Sequence, residues 1–171
     1  ENALYVESPL SWYDAHVFVM KGHEFSFTNV ENLYGKVVGV VRGFSLGSLF
    51  HDAVKKGKIE LVEVRDHEAL VQMLKLNRVQ VVAASTDTFL NQAQSMGNTN
   101  DIVKLTPALA PLLSRHIVIS KLSDYPEKEK LRDKINDALI SMIEEGDINK
   151  IAAKYGYIWK YGSVTKPIVL Q

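Results

Sequence analysis

The sequence has no cysteine. That excludes a disulfide framework, thiolate chemistry and Cys-ligated zinc, and it fits an oxidising compartment. There is no net charge either: 20 Lys and Arg balance 20 Asp and Glu. No overall field therefore favours nucleic acid or a polybasic contact with a membrane. No apolar run approaches the roughly 20 residues that span a bilayer. Internal repeats and low-complexity linkers are also missing. The chain opens at Glu1, with neither Met nor a signal peptide, which reads as a processed or trimmed start.

Catalytic and metal-binding patterns are equally scarce. The five histidines, His16, His23, His51, His67 and His116, are scattered, with no i,i+4 pair beside a third ligand. The sequence predicts no metal site and no cofactor. No Ser-His-Asp order can be assembled. Glu144, Glu145 and Asp147 read as solvated surface and a helix cap, and the charge run Lys128–Lys134 as the wet face of a helix. The expectation is a protein that is not an enzyme.

What is present is a folded-protein composition, 46% hydrophobic and 23% charged over 171 residues, enough for one domain or two small lobes. Short β-branched runs (Val37–Val41, Ile59–Val64, Val79–Ala84, Ile102–Leu105 and His116–Ser120) alternate with helical patterns near Ser45–Lys56, Asp66–Leu76 and Thr86–Met96. Asp66 stands where an N-cap belongs, ahead of the stripe Ala69, Leu70, Met73 and Leu74. Continuous apolar strands alternating with helices predict an α/β fold with a mostly parallel sheet covered on both faces.

The ends differ from the middle. Ala3–Val6 and His16–Met20 read as extended segments. Pro126 opens a long helix carrying Leu131, Ile135, Leu139, Met142 and Ile143. Gly146 closes it, and Asp147 is placed to cap a second helix with Ile148, Ile151, Ala152 and Tyr155. The tail from Tyr157 to Gln171 reads as extended or irregular.

The stretch Val37–Gly57, VVGVVRGFSLGSLFHDAVKKG, joins a strand, a glycine turn and a helix start. It is not a P-loop, because Gly43–Ser48 lacks Gly-Lys-Ser/Thr, and Gly43 and Gly47 are spaced G-x-x-x-G rather than G-x-G-x-x-G. What remains is the general affinity of a helix start for an anion. Two readings of Ser45 stay open: it caps its own helix, or it contacts a ligand beside neighbouring amides. Arg42 is placed for a charge-assisted contact, and Phe44 for a pocket wall or a core position. Trp12 and Tyr13 either stack on a ligand or pack internally.

The order of segments resembles the C-terminal part of type II periplasmic solute-binding proteins, of the polar amino-acid-binding kind. The resemblance rests on Tyr5-Val6-Glu7-Ser8-Pro9-Leu10 followed by Val17-Phe18-Val19-Met20. It continues through Leu33-Tyr34-Gly35-Lys36-Val37-Val38-Gly39-Val40 and Asn77-Arg78-Val79-Gln80. Ile117-Val118-Ile119-Ser120-Lys121, Ile135-Asn136-Asp137-Ala138-Leu139, Glu144–Ile151 and Lys154-Tyr155-Gly156 complete it. The resemblance spans nearly the whole chain, but most of the family's first lobe has no counterpart.

The resemblance implies a division into residues 1–24 (end of the first lobe and hinge strand), 25–118 (an α/β second lobe) and 119–171 (return strand and C-terminal helices of the first lobe). It implies hinge strands near Pro9–Met20 and Ser114–Lys121 that absorb closure over a ligand. In that family the turn at Gly43-Phe44-Ser45 reads Gly-Thr-Thr or Gly-Thr-Ser and binds the ligand's carboxylate. The family's ammonium-pairing Asp falls at Ser85, with Asp87 two residues on.

The implied function is non-catalytic binding of a small polar or anionic solute, periplasmic or extracytoplasmic, serving a membrane transporter or a sensor. The implied ligand-binding residues are Arg42, Gly43, Phe44, Ser45, Ser85, Asp87, Trp12 and Tyr13. The alternative is a truncated solute-binding-like module acting mainly through dimerisation or protein interaction, its pocket vestigial. Apolar stripes on the C-terminal helices need a cover, and the expected cover is a second copy in a homodimer.

Overall fold

The computed structural model describes residues 2–154, with residues 99 and 111–113 described in backbone only. The tail from Tyr157 onward, and Tyr155 and Gly156, lie outside the described residues. In chain order the elements are β1 (Ala3–Tyr5), β2 (Ser11–Met20), β3 (Val37–Val41), α1 (Ser48–Lys55), β4 (Glu60–Val64), α2 (His67–Lys75) and β5 (Val81–Ser85). There follow α3 (Thr86–Ser95), β6 (Ile102–Arg115), β7 (Val118–Ser120), α4 (Lys128–Glu144) and α5 (Asp147–Lys154).

The chain divides into two units, Tyr13–Leu113 and the remainder, Glu1–Trp12 with Ser114–Gln171. The sequence places its divisions at 24/25 and 118/119 instead. The first differs because β2 pairs with β5 from Ala15 to Phe18, so its apolar half belongs to the larger unit.

The larger unit is a five-stranded sheet ordered β4-β3-β5-β2-β6. β3 runs parallel to β4 and to β5, while β2 runs antiparallel to β5. Side chains alternate across the sheet and build two cores. Ala15, Val17, Val19, Val38, Val40, Val81 and Ala83 join Leu46, Phe50 and Ala53 on the α1 side. Phe18, Val82 and Ala84 join Leu70, Val71, Leu74, Phe89 and Ala93 on the α2–α3 side. Asp66 caps α2 as its side chain implies, accepting from the Ala69 N–H at 2.8 Å. At Gly39 a Cβ would stand 3.1 Å from Leu70 Cδ2 and 3.2 Å from Val79 Cγ1, so the glycine lets α2 approach β3 closely.

In the other unit β1 pairs antiparallel with β7, Leu4 opposite Ile119. The Ser8 N–H donates to Asn136 Oδ1 at 2.9 Å, tying the Ser-Pro step to α4. Val6 and Leu139 are buried, while Leu131, Ile135, Met142, Ile143 and Ile148 are only half-buried and Ile151 is exposed.

Two helix starts depart from expectation. α4 begins at Lys128, after Glu127 in the left-handed region, so Pro126 lies outside it. Asp147 is the first residue of α5 rather than a cap before it, its carboxylate meeting Lys150 Nζ at 2.7 Å. Gly146 ends α4 with φ +75°, a conformation only glycine adopts cheaply.

Candidate functional site

Parallel strands β3, β4 and β5 end at one edge of the sheet, the edge where open α/β sheets hold ligands. In the register of β3 against β5, Val38 pairs with Val81 and Gly39 with Val82; Arg42, just past β3, and Ser85, the last residue of β5, each follow three residues after the last pair. Val41 pairs with Val64, and the Arg42 N–H donates to the Val64 carbonyl at 2.9 Å. Ala15 pairs with Ser85. Ser85 thus ends its strand at this edge opposite Ala15, and Arg42 and Arg65 follow directly after the ends of β3 and β4.

Beyond Arg42 the chain reverses. The Phe44 N–H donates to the Val41 carbonyl at 3.0 Å, closing a turn with Gly43 at φ +75°. A Cβ there would meet nothing within 4 Å, so conformation rather than space selects the glycine. Leu46 is buried, and its N–H donates to His51 Nε2 at 3.3 Å. Gly47 (φ +87°) then turns the chain into α1.

The expected helix start at Ser45 is therefore corrected to Ser48. Burial of Leu46 holds Ser45 out of the helix, and the cap position is Gly47, with no side-chain cap. Ser45 is exposed and does not cap its own helix. Among the described residues the Gly43 and Ser45 N–H groups make no hydrogen bond.

Tyr13 meets this turn from β2. Its hydroxyl donates to the Ser45 carbonyl at 3.3 Å, and its ring lies 5.3 Å from that of Phe44, tilted by 49°. Phe44 is half-buried against the α1-side core. Of its two sequence alternatives, the structure shows packing against the core. Arg42 is exposed.

Ser85 ends β5, buried, with the Thr88 hydroxyl 3.4 Å from its own. Asp87 is exposed in the first turn of α3, where a carboxylate favours the helix dipole. Trp12 is half-buried and, as the neighbour of Tyr13 on a strand, projects to the opposite face of β2; it falls in the other unit. The structure thus brings together Tyr13, Phe44 and Ser45, sets Arg42 and Ser85 at the ends of adjacent strands, and leaves Asp87 in solvent.

One polar pair escaped the sequence reading. His16 is buried, its Nδ1 2.7 Å from Thr86 Oγ1 and 3.9 Å from Asp14 Oδ1. The signal was a lone histidine inside the apolar run Ala15–Val19. His51, counted among the scattered histidines, accepts from the Leu46 N–H through Nε2. Among the described residues no three His, Asp or Glu side chains come together as a metal site, and no helix is long and apolar enough to cross a membrane.

No protein-family model and no curated protein matches the sequence. Solved structures do match. An ancestral arginine-binding protein bound to arginine superposes with a TM-score of 0.72 at 22% identity, over 93% of this chain and 65% of that one. The GluR0 ligand-binding core from Nostoc punctiforme, in complex with L-glutamate, gives 0.67 at 22% identity, over 93% and 66%. The amino acid ABC transporter substrate-binding protein AbpA from Streptococcus pneumoniae, bound to L-arginine, gives 0.66 at 16% identity, over 89% and 60%. The chain spans between 60% and 66% of the length of these three structures. Its fold is that of the type II solute-binding proteins.

Proposed function

We propose that this chain binds a small anionic or polar solute without chemical turnover, in an extracytoplasmic setting, for a transporter or a sensor. The observation that carries the reading is the Gly43–Ser45 turn. It offers two unengaged N–H groups and an exposed hydroxyl at the carboxyl edge of the sheet, with Arg42 beside them. Oriented amides of this kind bind anions without a full positive charge of their own. Structures of similar fold hold amino acids. In this reading Ser85 and Asp87 are the remaining ligand-facing candidates of the larger unit. Ser85 is neutral where an ammonium would need a carboxylate, which favours ligands without an α-ammonium. Thermal melting against a panel of small carboxylates tests the reading: a rising midpoint supports it, and no shift from any member removes it.

A second reading is favoured by the other unit. The half-buried apolar residues of α4 and α5, with Ile151 exposed, suit a chain that pairs with a second copy. In that case binding is secondary to assembly.

A further inference from the structure

Phe44 lies between the two unengaged amides of the turn, and Tyr13 packs against it. A carboxylate held by the Gly43 and Ser45 N–H groups sits about 3 Å from each nitrogen. Consecutive Cα atoms are about 3.8 Å apart, and Phe44 is the residue between Gly43 and Ser45, so a carboxylate held by this turn lies near Phe44. The ring of Phe44 is half-buried, and its centroid stands 5.3 Å from that of Tyr13. The Tyr13 hydroxyl donates to the Ser45 carbonyl at 3.3 Å, so that polar end is already engaged with the turn. Next to the anion grip the surface is therefore aromatic.

Charge narrows the class further. Arg42 immediately precedes the turn, and the adjacent strand β5 ends in the neutral, buried Ser85. An ammonium on the carbon next to the carboxylate would lie near the cationic Arg42, and Ser85 carries no charge to pair with it. Asp87, in the first turn of α3, is in solvent.

We propose that Tyr13, Phe44 and the Gly43–Ser45 amides form one subsite for a small aryl carboxylate, a carboxylate joined to a flat apolar ring and lacking an α-ammonium. This rests on the anion-binding reading of the turn and specifies its ligand. The carboxylate is fixed by the amides, and the ring stacks on the tilted aromatic pair.

Calorimetry on the whole chain with acetate, phenylacetate and L-phenylalanine tests it. Phenylacetate is expected to bind roughly tenfold more tightly than acetate, and more tightly than L-phenylalanine. Phe44→Leu should bring the phenylacetate-to-acetate ratio close to one, and Phe44→Tyr should restore it. Should Phe44→Leu fail to fold, the wild-type ratio and Phe44→Tyr decide. Equal affinities for acetate and phenylacetate overturn the aryl subsite while leaving the anion grip standing. Tighter binding of L-phenylalanine than of phenylacetate overturns the ligand class. Absence of binding by all three, with no other small carboxylate bound, overturns the anion grip as well.

Discussion

Tyr13 and Ser45, 32 residues apart in sequence, are joined by a 3.3 Å hydrogen bond from the tyrosine hydroxyl to the serine carbonyl. Through it the first residue of the larger unit holds the turn that follows β3. Tyr13→Phe removes the bond but keeps the ring against Phe44. A hydrogen bond of this exposed kind contributes about 0.5–1 kcal/mol. Urea unfolding should show that loss for Tyr13→Phe and a larger one for Tyr13→Leu, which also removes the ring pair. Equal stability of all three proteins would show that the contact holds nothing.

Arg42→Ala and Ser45→Ala are each expected to weaken carboxylate binding by roughly three- to tenfold while leaving the melting temperature nearly unchanged. Both side chains are exposed, so neither supports the core, and an exposed charge contributes modestly to stability. Calorimetry of the two variants checks this. Unchanged affinity in both removes the turn from the site.

Gly39 and Gly43 are glycines for different reasons, and alanine separates them. At Gly39 the added methyl meets Leu70 and Val79 at 3.1–3.3 Å inside the α2-side core. Overpacking there should cost about 1–3 kcal/mol. At Gly43 the methyl meets nothing, and only the positive φ is penalised, by about 1 kcal/mol. Chemical denaturation of the two variants should rank Gly39→Ala as the less stable, and the reverse order would contradict the packing argument.

No common α-amino acid is expected to bind with a sub-micromolar dissociation constant. Leaving a desolvated ammonium without its partner costs roughly a few kcal/mol, and Ser85 offers no charge. Ser85→Asp should raise amino-acid affinity at some cost in stability, because the position is buried. A tight wild-type complex with any common amino acid would mean that another acid, Asp87 or Asp14, pairs with the ammonium.

The smaller unit predicts assembly. Burying a Leu or Ile side chain contributes roughly 1.5–3 kcal/mol, and α4 and α5 leave several half-covered. Light scattering at micromolar concentration is expected to report twice the chain mass. Ile151→Asp, placed at an exposed position (48% accessible), should shift that towards a monomer without loss of helix content. A monomeric wild-type chain would remove the homodimer.

Several features were legible because their causes are local. Val37–Val41 is a strand to the residue: a β-branched run bounded by Gly35-Lys36 and Arg42-Gly43 has few other ways to fold. Asp66 was readable as a cap because a cap needs only its own next three residues. The alternation of such runs was enough for the α/β class, and the order of short motifs for the solute-binding fold.

The tertiary structure decided what depends on distant partners. Ser45 carries the composition of an N-cap, yet α1 starts at Ser48 because Leu46 is drawn into a core shared with β2 and β5. His16 looked like one scattered histidine until the antiparallel pairing of β2 with β5 set it beside Thr86. Tyr13 was a hinge aromatic in the sequence and became the partner of Ser45 and Phe44 only once β2 entered the sheet. Local propensity is written in neighbouring residues and can be read there. Register and burial are set by which strands find each other across the chain, and no local pattern encodes that choice.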